Sequence, residues 1–200
     1  MLIICDLSYR KNSLSYYEYV KPIEEIAKKS GIDFKTVHYT ELLCDSLLKN
    51  SDNPIQKSPK GLILCGTALK DNKFLEDAEK FGFISNLNIP VLGICAGAQV
   101  IAVIFGGVIE ENKQLGMTAV KKVSDSAVLN GMTEFDAYEL HRNSVILSSD
   151  FEILAESDSG TAAFKHREKL IFGVMFHPEV RNERVVQNFL GIIQRAGEPV

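Results

Sequence analysis

Three residues in this chain have the types and spacing for covalent chemistry: Cys95, His177 and Glu179. Cys95 stands in Gly93-Ile94-Cys95-Ala96-Gly97, between a short apolar run from Val91 to Ile94 and a segment carrying Val100, Ile101, Val103, Ile104 and Phe105. The first run is too brief for a helix and reads as a buried strand. The second suits a buried helix that Gly106-Gly107 would end. The glycine spacing around Cys95 is that of a nucleophile elbow, a tight strand-to-helix turn that lifts the nucleophile clear of a sheet. A thiol there gains reactivity from the helix N-terminus and from a neighbouring base. His177 is the candidate base, and Glu179, two residues on, can bond one ring nitrogen and leave the other to take the thiol proton. Nucleophile, base and orienter then form a triad. Taken separately, Cys95 also fits a small core residue and His177-Pro178-Glu179 a surface turn.

The elements around these residues alternate. Leu2 to Cys5 reads as a strand, Tyr16 to Lys29 as a helix closed by Gly31, and Phe34 to Tyr39 as a second strand. Glu41 to Leu48 reads as a short helix and Asn50 to Pro59 as a loop. Gly61 to Cys65 is a third strand, and Phe74, Leu75, Ala78, Phe81, Ile84 and Leu87 mark a helix before the strand into Cys95. This order predicts an α/β fold, a mostly parallel central sheet with helices on both faces, in which function gathers at the carboxyl ends of the strands. After Gly107 the texture becomes β-rich, with short pieces at 118–123, 145–147, 153–155, 161–164 and 170–176, the last two a hairpin around Arg167-Glu168-Lys169. That last strand runs into His177. A closing helix carries Val185, Val186, Phe189, Leu190 and Ile193. One domain over 1–200 is expected.

Composition excludes several classes. A formal net charge of -4, with only Lys28-Lys29 and Lys121-Lys122 as Lys pairs, argues against nucleic-acid binding. The uncharged stretch Ile89 to Ile109 is long enough for a bilayer, but Pro90, Gln99, four glycines and a change of period favour a strand and helix. The N-terminus lacks the positive region of a signal peptide, so a cytoplasmic location is expected. Cys5, Cys44, Cys65 and Cys95 form no C-x-x-C pair. The first three read as reduced packing residues. His38 and His166 read as surface or strand residues, and no spacing predicts a metal.

The run Gly93-Ile94-Cys95-Ala96-Gly97-Ala98-Gln99, followed by Gly173-Val174-Met175-Phe176-His177-Pro178-Glu179, resembles the class-I, triad-type glutamine amidotransferases. Among them it is most similar to the glutaminase subunits of GMP synthetase. The resemblance implies that Cys95 attacks the side-chain amide of glutamine, that His177 moves the proton and that Glu179 supports it, with no cofactor. It implies backbone oxyanion donors near Gly66-Thr67 and at Ala96, a glutamine contact at Gln99, and a grip on the substrate's amino-acid end at Leu140-His141. Several positions depart from the family pattern. Thr67 replaces a glycine of Ser-Gly-Gly-Pro, Ala98 a histidine or methionine, Leu140 a serine and Met175 a glutamine, and Asp6-Leu7-Ser8-Tyr9 lacks a Gly-Gln. They touch the substrate shell and spare the triad, and the loop at Thr67 is expected to rest closed or flipped.

Three functions fit, in this order. The first is a glutaminase delivering ammonia to a separate synthetase chain that holds the ATP and acceptor sites, because no G-x-x-x-x-G-K-[ST] is present here. The second is a stand-alone hydrolase of γ-glutamyl amides. The third is a quiet regulatory protein that keeps the fold.

Overall fold

Four short runs with no exposed residue, Leu2–Asp6 (β1), Gly61–Leu64 (β3), Val91–Ile94 (β4) and Ile171–Val174 (β9), cannot face water on either side. Buried strands of this kind belong in the middle of a parallel sheet, and that is where they lie. The structure is a computed structural model that describes residues 1–44 and 59–196, the side chains of 43 and 44 excepted. The other strands are β2 (Phe34–His38), β5 (Val108–Lys122), β6 (Glu134–Ile146), β7 (Phe151–Ser157) and β8 (Gly160–His166). All nine make one sheet in the order β2-β1-β3-β4-β9-β8-β7-β5-β6. From β2 to β9 neighbours are parallel, and from β9 to β6 they are antiparallel.

Helices cover both faces, as expected. On one side α1 (Lys21–Lys29) and α5 (Arg184–Ala196) pack with Ile4, Ile63, Leu92 and Val174. On the other, α4 (Ala96–Ile104) packs with Ile3, Leu62, Leu64 and Val91. The α5 stripe Val185, Val186, Phe189, Leu190 and Ile193 is buried as its spacing predicts. Gly106 ends α4 with φ +82°, which lets Gly107 N–H reach the Ala102 carbonyl and Gly106 N–H reach that of Val103.

Several elements differ from the sequence reading. Tyr16–Val20 is a turn of π-helix that runs into α1. The segment at 74–87 is not one helix: α3 spans only Lys73–Glu76, and Ala78–Asn86 is 3-10. Ala78, Phe81 and Ile84 are buried at intervals of three, a period that suits the 3-10 repeat. The pieces at 118–123 and 145–147 are ends of the long β5 and β6, which pair along most of their length. The charged stretch Glu110 to Lys113 near the start of β5 hides its alternation. β9 stops at Val174, so His177 lies in the bend beyond it. A short helix α2 (Tyr39–Cys44) begins two residues before the expected Glu41 and takes Tyr39 from the expected strand. The remainder of that expected helix, most of the expected 50–59 loop and the Cys44 side chain lie outside the described residues.

His38 ends β2 and His166 ends β8, so both are strand residues, and both are buried rather than on the surface. The ring of His38 bridges the Ser8 carbonyl and the Thr40 hydroxyl, and Nδ1 of His166 accepts the N–H groups of Glu168 and Lys169 in the β8–β9 turn. Among the described residues no helix is long and apolar enough to cross a membrane. Ile89 to Ile109 divides instead into β4, α4 and the start of β5.

Glu24 ties the first β-α-β unit together. Its carboxylate accepts hydrogen bonds from Thr36 Oγ1 at 2.6 Å, Tyr16 Oη at 2.7 Å and Lys21 Nζ at 3.0 Å. Burial would raise its pKa, but those three donors hold it below the ordinary carboxylate value. Stability from a depressed carboxylate is present above its unfolded pKa of about 4.3 and is lost as pH falls through the folded value. Glu24→Ala is therefore expected to cost about 1–3 kcal/mol at pH 7, with a gap from the native chain that narrows under acid. Urea unfolding at pH 7 and pH 3 measures both.

Candidate active site

Two neighbouring parallel strands carry the catalytic candidates. Ile94 of β4 is in register with Val174 of β9, and Cys95 N–H donates to the Val174 carbonyl at 2.8 Å. Cys95 thus lies one residue past β4 and His177 three past β9, at the carboxyl edge of the sheet where the alternation of strands and helices places function. Cys95 has φ +47° and ψ −99°, a conformation that a side chain rarely adopts. Holding it costs on the order of 1–3 kcal/mol and needs surroundings that over-determine it.

Small neighbours supply those surroundings. A Cβ on Gly97 would sit 2.2 Å from the Leu64 carbonyl oxygen, and one on Gly93 would sit 2.5 Å from the Gly97 carbonyl. These glycines let α4 start directly on β3 and β4. Ala96, the first residue of α4, then presents an N–H with no intrahelical acceptor.

Nδ1 of His177 lies 2.7 Å from Glu179 Oε1, and both side chains are fully buried. His177 N–H donates to the Tyr138 carbonyl at 2.8 Å, and its own carbonyl accepts from Val180 and Arg181, so a closed turn rather than strand alternation brings Glu179 under the ring. Nε2 has no conventional hydrogen-bond partner and faces the chemistry of Cys95. Burial works against a charged ring, but the Glu179 carboxylate and then the Cys95 sulfur outweigh it and hold the imidazole well above its ordinary pKa. The thiol also contacts the Leu140 carbonyl at 3.7 Å. Burial, followed by nearby acids, pushes the thiols of Cys5 and Cys65 well above the ordinary value.

Sequence reasoning missed the groups that clamp His177. The Tyr19 ring lies 5.1 Å from the imidazole and that of Tyr138 lies 6.3 Å away. Burial, followed by acids that include Cys95 and Glu179, pushes the Tyr19 hydroxyl up to about 12, so it stays neutral. No local motif marks either tyrosine. Gly66 completes the clamp, since a Cβ there would lie 2.7 Å from His177 Cε1. Gly66→Ala is expected to displace the imidazole and lower kcat by about a hundredfold with little change in melting temperature. Steady-state kinetics and calorimetry on the same preparation separate the two effects.

The predicted substrate residues meet at Cys95. Thr67, Cys95, Ala96, Gln99, Leu140 and His141 line one chamber. Gln99 Nε2 reaches the Asn143 carbonyl at 3.4 Å while its Oε1 is buried without a partner. The chamber measures only about 20 Å³ and is roofed in part by residues 67–72. Asp71 ties this segment down: Oδ2 accepts the Thr67 hydroxyl at 3.0 Å and the N–H of Tyr9 from the β1–α1 loop. Asp71 therefore links the loop at Thr67 to the β1–α1 loop. Among the described residues no cluster of His, Cys, Asp or Glu is arranged to hold a metal ion.

Comparison with known proteins decides the family. The family model "Glutamine amidotransferase class-I" matches residues 15–191. The chain belongs to the class-I glutamine amidotransferases. It is 34% identical over 185 residues to a glutamine-hydrolysing GMP synthase subunit of Methanococcus vannielii, covering 86% of this chain and 90% of that one. With the glutamine-hydrolysing GMP synthase of Caldicellulosiruptor saccharolyticus it shares 34% identity over 148 residues, 68% of this chain but only 28% of that longer protein. A crystal structure described as that of a GMP synthase subunit from Thermoplasma acidophilum superposes with a TM-score of 0.80 at 26% identity, covering 97% of this amidotransferase and 94% of its counterpart. A glutamine amidotransferase from Thermotoga maritima shares the fold at a TM-score of 0.65 and 16% identity, covering 97% of this chain and 84% of that one.

Proposed function

We propose that this amidotransferase hydrolyses the side-chain amide of glutamine and passes the ammonia to a synthetase on a separate chain, with GMP synthesis as the acceptor reaction. One observation carries the chemistry: Cys95 on its strained turn stands beside a His177 whose other nitrogen is held by Glu179. In this reading the Cys95 sulfur, having given its proton to His177 Nε2, attacks the amide carbon. The tetrahedral oxyanion is met by backbone N–H groups of Thr67 and Ala96, with Gly66 shaping the turn. His177 returns the proton to the departing nitrogen, and ammonia leaves a glutamyl thioester. Water then attacks with His177 as base, the carbon–sulfur bond breaks, and glutamate departs. Gln99, Leu140 and His141 position the substrate.

The narrow cleft favours a partner-dependent glutaminase over a stand-alone hydrolase. The cleft of about 20 Å³ is small beside glutamine, and residues 67–72, tied down through Asp71, are the segment whose movement would widen it. A synthetase docked at this edge of the sheet supplies a means to move them. The relatives named as GMP synthase subunits favour GMP synthesis as the acceptor reaction.

The test is mass spectrometry of the chain after exposure to a glutamine-like diazo-ketone, with and without excess glutamine and with and without the ATP-dependent chain of a GMP synthase. Glutamine-protected labelling confined to Cys95 and accelerated by the partner is the expected result. Equal labelling of Cys5 and Cys65, or labelling that glutamine does not slow, would count against it.

A further inference from the structure

Among the described residues, one edge of β5 is left unpaired from Val108 to Val120. On its other edge lies β6, with Met117 opposite Tyr138 and Leu115 opposite Leu140. The Tyr138 carbonyl accepts the His177 N–H, on the side away from β5. Met117 and Tyr138 are therefore a non-hydrogen-bonded pair, and by alternation the backbone N–H and C=O of Leu115, Met117 and Ala119 point away from β6. Lys121, next in that series, turns the same groups toward β7, where it stands opposite Glu156. The pairing with β7 goes no further. Ser157 and Ser159, at the end of β7 and just beyond it, donate to the Glu139 carboxylate, and the Ser159 carbonyl accepts Asn112 Nδ2, so the chain there crosses the face of the ribbon and leaves its edge open.

An open edge is a template for another strand, and proteins blunt it with charge, proline or a bulge. Here a bulge between Glu111 and Gln114, together with Lys113, lies at one end, and Leu115-Gly116-Met117 carries no such device. Leu115 is 47% exposed and Met117 50%. Gly116 between them has no side chain to hold a second backbone away, and a Cβ in its place would meet nothing within 4 Å. The two ends of the strand carry opposite charge: Glu110 and Glu111 at the start, Lys121 and Lys122 at the finish. Glu111 pairs with Arg142 and Lys122 with Asp125, whereas Glu110 and Lys121 have no ion-pair partner among the described residues. Laying the strand antiparallel against itself about Gly116 sets Leu115 opposite Met117. Because the bulge adds one residue, it also sets Glu110 opposite Lys121.

We propose that two copies of this chain pair through the β5 edge, antiparallel about a two-fold axis at Gly116. Leu115 of one copy exchanges backbone hydrogen bonds with Met117 of the other, and Glu110 of each meets Lys121 of the other. A two-fold contact of this kind is self-complementary and closed, so assembly stops at a dimer. The contact is short, which makes the dimer a weak one. It uses no residue that lines the cleft at Cys95, and it stands whether or not the chain hydrolyses glutamine.

Sedimentation equilibrium from micromolar to millimolar chain reads the association, and hydrogen exchange at the two extremes locates it. The native chain is expected to move toward twice its mass, with the amides of Leu115 and Met117 slowing by about tenfold or more as it does. Lys121→Glu sets like charges together at both ends and is expected to weaken the dimer by about tenfold or more. Adding Glu110→Lys to the same chain is expected to restore it. Lys28→Glu, the same change of net charge on an exposed part of α1, is expected to leave association as it was. Met117→Pro removes an N–H that only the dimer uses and is expected to abolish association; should it fail to fold, the charge reversals decide. A chain that stays monomeric at millimolar concentration would overturn the proposal. So would a dimer whose amides at 115 and 117 stay unprotected, a double reversal no better than the single one, or an equal loss with Lys28→Glu. Protection of the edge only on adding a synthetase chain would assign it to that partner and overturn the proposal as well.

Discussion

A chain carrying Cys95→Ala is expected to lose glutamine hydrolysis by about 10⁴-fold or more while folding as before. The substitution removes the sulfur that would form the thioester, and no other thiol can replace it from Cys5 or Cys65, which are buried elsewhere in the core. Alanine is as poorly suited as cysteine to φ +47°, so the strain stays and the melting temperature should hardly move. The imidazole supplies a second readout. Cys95 is one of the groups that raise the His177 pKa, so its removal should lower the ring's titration midpoint, followed by NMR. The sign for stability follows. A histidine with a raised folded-state pKa contributes fully below its unfolded value of about 6.5 and loses that contribution as pH rises through the folded value. In Cys95→Ala that loss should begin at lower pH. Retained turnover in the variant would rule out the thiol mechanism.

The second large effect is on folding. Gly97→Ala places a methyl group 2.2 Å from the Leu64 carbonyl oxygen and 2.6 Å from Leu64 Cβ. Neither can give way cheaply, because Leu64 ends β3, which is held between β1 and β4. Helix α4 would have to lift from the sheet, taking the elbow with it. The expected cost is about 3 kcal/mol or more, a fall in melting temperature of roughly 6–12 °C for a chain of this size. Gly82→Ala is the control, since a Cβ there meets nothing within 4 Å. Calorimetry of the two variants, with equal melting temperatures as the refuting result, tests whether position 97 is glycine for space.

What was legible in the sequence was what local pattern encodes. Gly93, Cys95 and Gly97 announce a tight turn because close packing of helix on strand leaves no room for larger side chains. His177 and Glu179 are near neighbours along the chain, so their pairing needs little from the rest of the fold. The buried runs of β1, β3, β4 and β9 follow from hydropathy alone. Other features depend on distant contacts. Tyr19 reaches His177 from the π-helical turn, and Ser157 and Ser159 reach Glu139 across the antiparallel part of the sheet. Nothing in the spacing of these residues points to those partners. The long β5–β6 ribbon was hidden because Glu110, Glu111 and Lys113 break the alternation that marks a half-buried strand.

The backbone at Cys95 sets catalysis and durability against each other. Glycine occupies φ +47° without the penalty a side chain incurs, so Cys95→Gly should relieve on the order of 1–3 kcal/mol of strain while deleting the proposed nucleophile. A laboratory evolution scheme that rewards heat tolerance alone would therefore enrich an inert protein at this position. If Cys95 is the nucleophile, selection for turnover is what keeps it there, and a descendant freed from that demand would be expected to lose it early.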